Sequence, residues 1–360
     1  MKTATAYAPG RVELLGNHTD YNQGLVLAAA IDRGLTAHGT LRTDGRVVLS
    51  SQILGRRHEL LLADIAPSTE APWVNYPLGV VNELIAAGHR LQGFELELSG
   101  DLPMGGGLSS SAAVEVATAL LLMKLHDLHI PPLALAKLCH RAENVFVGVP
   151  SGLLDQATCV FGRADHAVFL DCQNEAIQTV PLPPEFALII ASSGAAHALV
   201  AGEYSTRREQ CLAAAQALGV SSLREVSSAG LENASVSLDL LLRRRAAHVT
   251  GENERVATAV QALRRSDGAA LGALMNASHE SSRVNFENST PLLDRLTELA
   301  RALPGVLGAR LTGGGFGGSA IVLVQAELAT AAAEQLAVSF RCETGLDATP
   351  FITRASDGAR

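Results

Sequence analysis

Two periodicities divide the chain into strands and helices that intermix from end to end. Phe94 to Leu98 in FELELSG alternates apolar with charged residues, the period of a strand with one buried face. HAVFLDC, FALIIASSG and SAIVLVQ are apolar runs of strand length. AAVEVATALLLMKLHDL is a long apolar stretch that predicts a largely buried helix, and TRREQCLAAAQAL and PLLDRLTELARAL show the spacing of amphipathic helices. The pattern is therefore mixed α and β. No internal repeat, low-complexity tract or Pro/Ser linker interrupts it, so the domain boundary is placed where the first group of motifs ends, near Gln173.

Composition narrows the picture. With 360 residues, 48% hydrophobic and 18% charged, the chain can bury substantial cores and is expected to form two domains. Twenty-eight Lys plus Arg against 36 Asp plus Glu gives a formal charge of -8, and no basic run suits a phosphate backbone, so nucleic acid is not an expected partner. The start, MKTATAYAPGR, lacks the apolar core of a secretory signal, and charge or glycine breaks every apolar run short of a membrane span. The expectation is a cytoplasmic protein without a membrane partner, a monomer or weak dimer. Five scattered cysteines, with no CxxC pair, read as reduced thiols packed mostly in cores.

Four stretches carry candidate chemistry. DLPMGGGLSSSAAVEVA, Asp101 to Ala117, places three glycines and three serines at the start of the apolar helix. Exposed N–H groups and the positive end of a helix dipole suit a phosphate, although the same residues would also make a flexible helix cap. A Walker A loop is excluded because no GK[ST] follows, and contiguous glycines fit a Rossmann fingerprint poorly. In RLTGGGFGGSAIVL, five glycines in six positions exceed the needs of one turn and imply close approach of two backbone segments, or of backbone to ligand. GVPSGLLDQATCVFG holds Asp155 in an apolar setting, as a general base or a helix N-cap. GRVELLGNHTDYNQG, Gly10 to Gly24, concentrates Arg11, Glu13, Asn17, His18, Asp20, Tyr21 and Asn22.

Taken together and in this order, these motifs resemble the galactokinase branch of the GHMP small-molecule kinases, almost end to end. APGRVELLGNHTDYNQG is similar to the sugar signature, PMGGGLSSSAAVEVA to the phosphate loop, GVPSGLLDQ to the segment with the catalytic aspartate, GEYSTRREQC to a sugar-side tyrosine motif, LTGGGFGGSAIVL to the third GHMP motif and SDGAR to the chain end. The resemblance implies an α+β, two-domain GHMP kinase fold with the active site in the cleft between domains: 1–173, 174–340, and a segment 341–360 returning to the first domain. It implies transfer of the γ-phosphoryl group of ATP, with Mg²⁺, to the anomeric hydroxyl of galactose. By matched position Asp155 takes the proton and Arg11 supports it. Gly105, Gly106, Gly107, Leu108, Ser109, Ser110 and Ser111 wrap the phosphates, with Ser110 or Ser111 the Mg²⁺ ligand and Trp73 stacking on adenine. Asn17, His18, Asp20, Gly152 and Tyr204 bind the sugar, while Tyr21 and Asn22 shape the loop.

Two positions depart from the family pattern, GRVNLIGEHTDYN: Glu13 stands for the asparagine and Asn17 for the glutamate expected at the sugar's C6 hydroxyl. An amide can still accept from that hydroxyl, and would also suit a C6 carboxylate. A kinase for galacturonate is therefore an alternative, ahead of N-acetylgalactosamine or arabinose, as is an exchange of roles between Glu13 and Asn17 that leaves the pocket's preference unchanged. A non-catalytic sugar or ATP sensor would be marked by loss of the phosphate loop or the base, and both are present.

Overall fold

The computed structural model describes residues 2–103, 106–194, 200–234 and 238–360. Its first element is a long hairpin that the polar motif of the N-terminus hides from a periodicity reading: β1 (Thr3–Leu15) pairs antiparallel with β2 (Leu25–Leu41). β3 (Arg46–Ser51) and β4 (Arg56–Leu61) form a second hairpin, and β3 lies parallel to β5 (Phe94–Gly100). β5 pairs with the second half of β2 and β6 (His166–Asp171) with its beginning; β7 (Ala176–Pro181) closes the sheet beyond β6. β2 thus has both edges occupied, and α-helical segments pack against it, which is why most of its 17 residues are apolar and buried.

Four helices pack with this sheet: α1 (Asn75–Ala86), α2 (Ser110–His126), α3 (Pro132–Arg141) and α4 (Leu154–Phe161). α2 lies across β1 and β2 with α1, α3 and α4 around it, so it is apolar on all sides, as a fully enclosed helix must be.

The second sheet has the order β11 (Phe351–Thr353), β8 (Phe186–Ser192), β10 (Ser319–Gln325), β9 (Val306–Thr312), all antiparallel. Between β8 and β9 come α5 (Val200–Ala217), α6 (Ser228–Glu232), the 25-residue α7 (Leu240–Arg264), α8 (Gly268–Ser281) and α9 (Pro291–Arg301); α10 (Ala329–Thr344) follows β10. Ile189, Ala320 and Val322 face the core under α9 and α10, whereas Leu188, Ile190, Ile321 and Leu323 join the core shared with α8. Both faces are covered, and FALIIAS and SAIVLVQ are accordingly continuous apolar runs instead of alternating ones.

The expected boundaries shift. A division at Gln173 would cut the hairpin of β6 and β7, whose strands pair residue for residue from His166–Pro181 to Asp171–Ala176; the sheets divide between Pro181 and Phe186. Residue 341 lies inside α10, and β11 belongs to the second sheet, although the Thr353 hydroxyl already donates to Asp32 of β2; backbone pairing with the first sheet begins at Ala355. There Ser356 donates to Ala30, Gly358 to Gly162 and Ala359 to Cys159, and Tyr7 and Arg360 exchange backbone hydrogen bonds. Of the five free cysteines only Cys342 is exposed.

Candidate active site

A cleft of about 550 Å³ opens where the two glycine-rich loops meet the end of β1. Its first wall comes from β1, whose pairing with β2 slips between Pro9 and Arg11 and again between Glu13 and Leu15. Bulges re-aim side chains. Between these two, strand alternation turns Val12 into the core and sends both Arg11 and Glu13 into the cleft.

Arg11 meets Asp155, which stands in the first turn of α4. Arg11 Nε donates to Asp155 Oδ1 at 2.7 Å, Nη2 lies 2.6 Å from the same oxygen, and Nη1 donates to the Gly107 carbonyl at 2.6 Å. Ser109 Oγ donates to Asp155 Oδ2. The N-cap of α4 is Leu153, so the Asp155 carboxylate is not spent on capping and faces the cleft with its counter-charge in place. Burial works against the charge of Arg11, but Asp155 and Glu13 outweigh it and raise the guanidinium's pKa further. Ser109 is held at φ 54°, a left-handed conformation that costs a non-glycine residue about 1 kcal/mol, and its hydroxyl serves Asp155 instead of capping α2.

The two glycine clusters touch. A Cβ on Gly107 (φ 73°) would stand 3.2 Å from the Thr312 carbonyl oxygen, and one on Gly313 (φ 74°) 3.1 Å from that of Gly107. This is the backbone-to-backbone approach expected of the second cluster. Gly106 has more room, with its nearest neighbour at 3.6 Å. Leu108 accepts from Arg11 N through its carbonyl, tying the loop to β1. Ser110 and Ser111, partly exposed at the start of α2, line the cleft; Gly105 lies outside the described residues.

On the opposite side Asn17 and His18 line the cleft but are deeply engaged by protein. Asn17 Nδ2 donates to the Gly313 carbonyl at 2.7 Å and approaches Glu13 Oε2 at 3.4 Å, and its Oδ1 accepts from Asn288 Nδ2 at 2.8 Å. His18 (φ 59°) bonds the Gly314 carbonyl through Nε2 at 2.9 Å, so that nitrogen carries the proton and Nδ1 accepts from the Tyr21 hydroxyl at 2.8 Å. Burial lowers the His18 pKa to about 4, and the ring is neutral. Tyr204 and Phe286 flank it with ring centroids 5.0 and 4.6 Å away. Asn22 Nδ2 donates to the His18 carbonyl, which with Tyr21 braces the loop.

Among the described residues Asp20 Oδ1 takes only the Tyr21 N–H, and burial, with Asp155 nearby, raises its pKa to about 7. Gly152 makes room for it, because a Cβ there would stand 2.1 Å from Asp20 Oδ2.

Several participants escaped the sequence reading. Glu143, buried at the cleft wall in a π-helical turn over Ala142–Val147, accepts from Ser151 Oγ at 2.6 Å and from Gln156 Nε2 at 2.9 Å. Gln156 Nε2 also reaches Glu115, whose carboxyl burial and Glu143 push well above the usual range. Arg310, fully buried, pairs with Glu13 at 2.8 Å, and a second π-helical turn, Ser282–Phe286, stands behind His18 and Asn17. No local pattern marks most of these residues; Glu115 alone carried a cue, a charged side chain set in the apolar run AAVEVATA. Trp73 is half-buried against the main core and does not line the cleft.

Comparison with known proteins agrees with this geometry. The chain matches the GHMP kinases N terminal domain over residues 75–163, the galactokinase galactose-binding signature over 2–40 and the GHMP kinases C terminal domain over 259–341. It is 43% identical to a galactokinase of Roseiflexus sp. (strain RS-1), over 98% of this chain and 91% of that one, and 42% identical to the galactokinase of Homo sapiens at the same coverage. Among solved structures it resembles Lactococcus lactis galactokinase complexed with galactose, with a TM-score of 0.95, 34% identity and coverage of 100% and 95%. A mevalonate kinase at 18% identity and a TM-score of 0.70 shares the fold. With its bulged β1, paired glycine loops and Arg11–Asp155 centre, and at these identities over nearly its whole length, the chain belongs to the galactokinase family of GHMP kinases.

Proposed function

We propose that this enzyme transfers the γ-phosphoryl group of ATP to the anomeric hydroxyl of galactose, giving galactose 1-phosphate and ADP. The observation that carries the reading is the Arg11–Asp155–Ser109 cluster at the meeting point of the phosphate loop and the sugar loop. In the step, the galactose O1–P bond forms as the bond from Pγ to the bridging oxygen of ADP breaks, and the O1 proton passes to Asp155. Arg11 orients the Asp155 carboxylate through Nε and Nη2 and offsets charge in the transition state. N–H groups of the 105–111 loop and the start of α2 hold the phosphates.

The donor set suits a hard cation: the hydroxyls of Ser110 and Ser111 and the Glu143 carboxylate line the same cleft, and all are oxygens. When bound, Mg²⁺ would neutralise phosphate oxygens. Trp73 keeps its assignment to adenine on the family match alone. We assign the ring hydroxyls of the sugar to Asp20, with Asn17, His18, Gly152 and Tyr204 shaping the pocket. We assign the protein to the cytoplasm as a monomer or weak dimer with the sugar and ATP as its partners. Among the described residues no helix is long and apolar enough to cross a membrane.

Galactose is favoured over galacturonate because Glu13 and Asp20 already put two carboxyl groups at the sugar side, and the Asn17 amide that would receive a uronate is taken by Gly313 and Asn288. A sensor without turnover is disfavoured by the intact Arg11–Asp155 pair. ADP release with ATP and Mg²⁺ should be fastest on galactose across a panel with galacturonate, N-acetylgalactosamine, arabinose and glucose. No release above the ATP-only background with galactose would refute the assignment.

A further inference from the structure

Helix α7 lies outside the cleft, yet it grips the loop that forms the cleft's sugar side. Glu252, fully buried, accepts at Oε2 from the Gly16 N–H at 2.9 Å and the Asn17 N–H at 3.0 Å. Its Oε1 accepts from Arg255 Nε at 2.5 Å. One turn earlier His248, also fully buried, donates Nε2–H to the Asn17 carbonyl at 3.0 Å while Nδ1 accepts from Ser281 Oγ. Burial lowers the His248 pKa to about 3, so the ring is neutral, and the Asn17 carbonyl selects the Nε2–H tautomer. Next to Glu252, Asn253 Oδ1 accepts from Leu25 N at 2.8 Å, at the far end of the same loop.

Three side chains on one face of α7 therefore hold peptide groups at both ends of the Gly16–Leu25 loop, more than 220 residues away in sequence. Packing alone does not call for a charge here, because a buried ion pair stabilises little beyond apolar side chains of similar volume. What the carboxylate supplies is one oxygen that two adjacent peptide N–H groups share, with an orientation set by the guanidinium. His18 in its left-handed conformation and Asp20 follow directly along the chain.

We propose that Glu252, held by Arg255, is a positioning residue for sugar binding: it fixes the Gly16–Asn17 peptide and so sets His18 and Asp20 in the cleft, without touching either substrate. The inference rests on the proposed function only in taking this loop as the sugar side. Burial alone would raise the carboxyl's pKa, but Arg255 outweighs it and holds Glu252 ionised.

The test compares Glu252→Ala, Glu252→Gln and Arg255→Gln by KM for galactose, KM for ATP-Mg²⁺, kcat, melting temperature and amide hydrogen exchange of the peptide spanning Gly16 and Asn17. Loss of the acceptor that both N–H groups share should, in Glu252→Ala, raise the galactose KM about 10-fold or more and leave the ATP KM within about twofold. Glu252→Gln retains an acceptor oxygen and should recover most of that loss. Should Glu252→Ala fail to fold, Arg255→Gln still decides the matter, because Arg255 borders an open cleft of about 560 Å³ where truncation leaves no sealed cavity. It should shift the galactose KM in the same direction by less. Parallel changes in both KM values, or a lower melting temperature with unchanged KM values and unchanged exchange, would overturn the proposal. If the wild type fails to turn over galactose, the functional reading falls, while faster exchange at Gly16 and Asn17 in Glu252→Ala would still support the clamp.

Discussion

The two sides of the cleft are built by different means. On the side we assign to the phosphates the proposed groups are backbone, and the glycines matter because Gly107 and Gly313 must approach one another across two loops with no Cβ between them. On the side we assign to the sugar the proposed groups are side chains, and the loop that carries them is fixed by partners far along the chain: Asn17 by Gly313 and Asn288, His18 by Gly314, the Gly16–Asn17 peptide by Glu252. A phosphate presents nearly equivalent oxygens, and a cage of N–H groups serves any of them. A sugar presents distinct hydroxyls, so its partners need directions that one contiguous segment cannot supply.

Asp155 belongs to neither side alone, and its loss should have the largest effect. Asp155→Asn preserves shape but cannot take the proton, and turnover should fall by roughly 10²-fold or more with both KM values little changed. ADP-release kinetics beside a melting curve check this, and near wild-type turnover in a folded variant would remove Asp155 from its role.

Gly107→Val separates the sides most sharply. A branched side chain at φ 73°, against the Thr312 carbonyl, should push the two loops apart and weaken ATP-Mg²⁺ binding about 10-fold or more, with galactose affinity held within about threefold. Calorimetry with each ligand reads it, and equal losses for both would show that the loops are not independent. Gly106→Val, with more room around it, should weaken ATP less.

Asn17→Glu probes the exchange with Glu13. The substitution removes the donor to the Gly313 carbonyl and sets a second carboxylate beside Glu13, and should cost about 1–3 kcal/mol of stability. If the two positions have exchanged roles, Glu13→Asn combined with Asn17→Glu recovers more than half of that cost in a double-mutant cycle. Strict additivity would show that they do not act together. The ratio of galacturonate to galactose specificity constants should fall or stay near zero in Asn17→Glu, and a rise would contradict a C6-facing role.

The smallest expected effect is the pH response of sugar binding. Asp20 has a folded pKa near 7, above its unfolded value of 3.8. The folded state therefore holds a proton that the unfolded state has lost between these values, so this group reduces stability as pH rises from about 4 to 7 and adds no further change above. The ionised form is the better acceptor for sugar hydroxyls, and the galactose KM should drop about two- to threefold from pH 6 to pH 8. In Asp20→Asn the profile should be flat over that interval, with a higher KM throughout. A profile unchanged by the substitution would assign the titration to another group.

How much of this was legible beforehand follows the same division. The phosphate loop, the second glycine cluster and the strands Phe94–Gly100, Phe186–Ser192 and Ser319–Gln325 are each one contiguous segment whose composition states its role. The β1–β2 hairpin was not read, because Arg11 and Glu13 break the apolar pattern of β1 where the strand borders the cleft. Glu143, Arg310 and Glu252 were not read either: a charge in a helix or strand looks the same whether it faces water or a buried partner.

The sequence by itself determined the local pieces: where a backbone must be glycine, which runs must be buried, and which aspartate stands in an apolar setting beside the right neighbours. The tertiary structure alone decided that Arg11 reaches Asp155 across 144 positions, that Gly152 yields space to Asp20, and that α7 holds the sugar loop through Glu252. The reason is physical. Propensity and periodicity act over a few residues, whereas the orientation of a buried polar side chain is fixed only when folding brings a partner to the one direction in which its hydrogen bond can form.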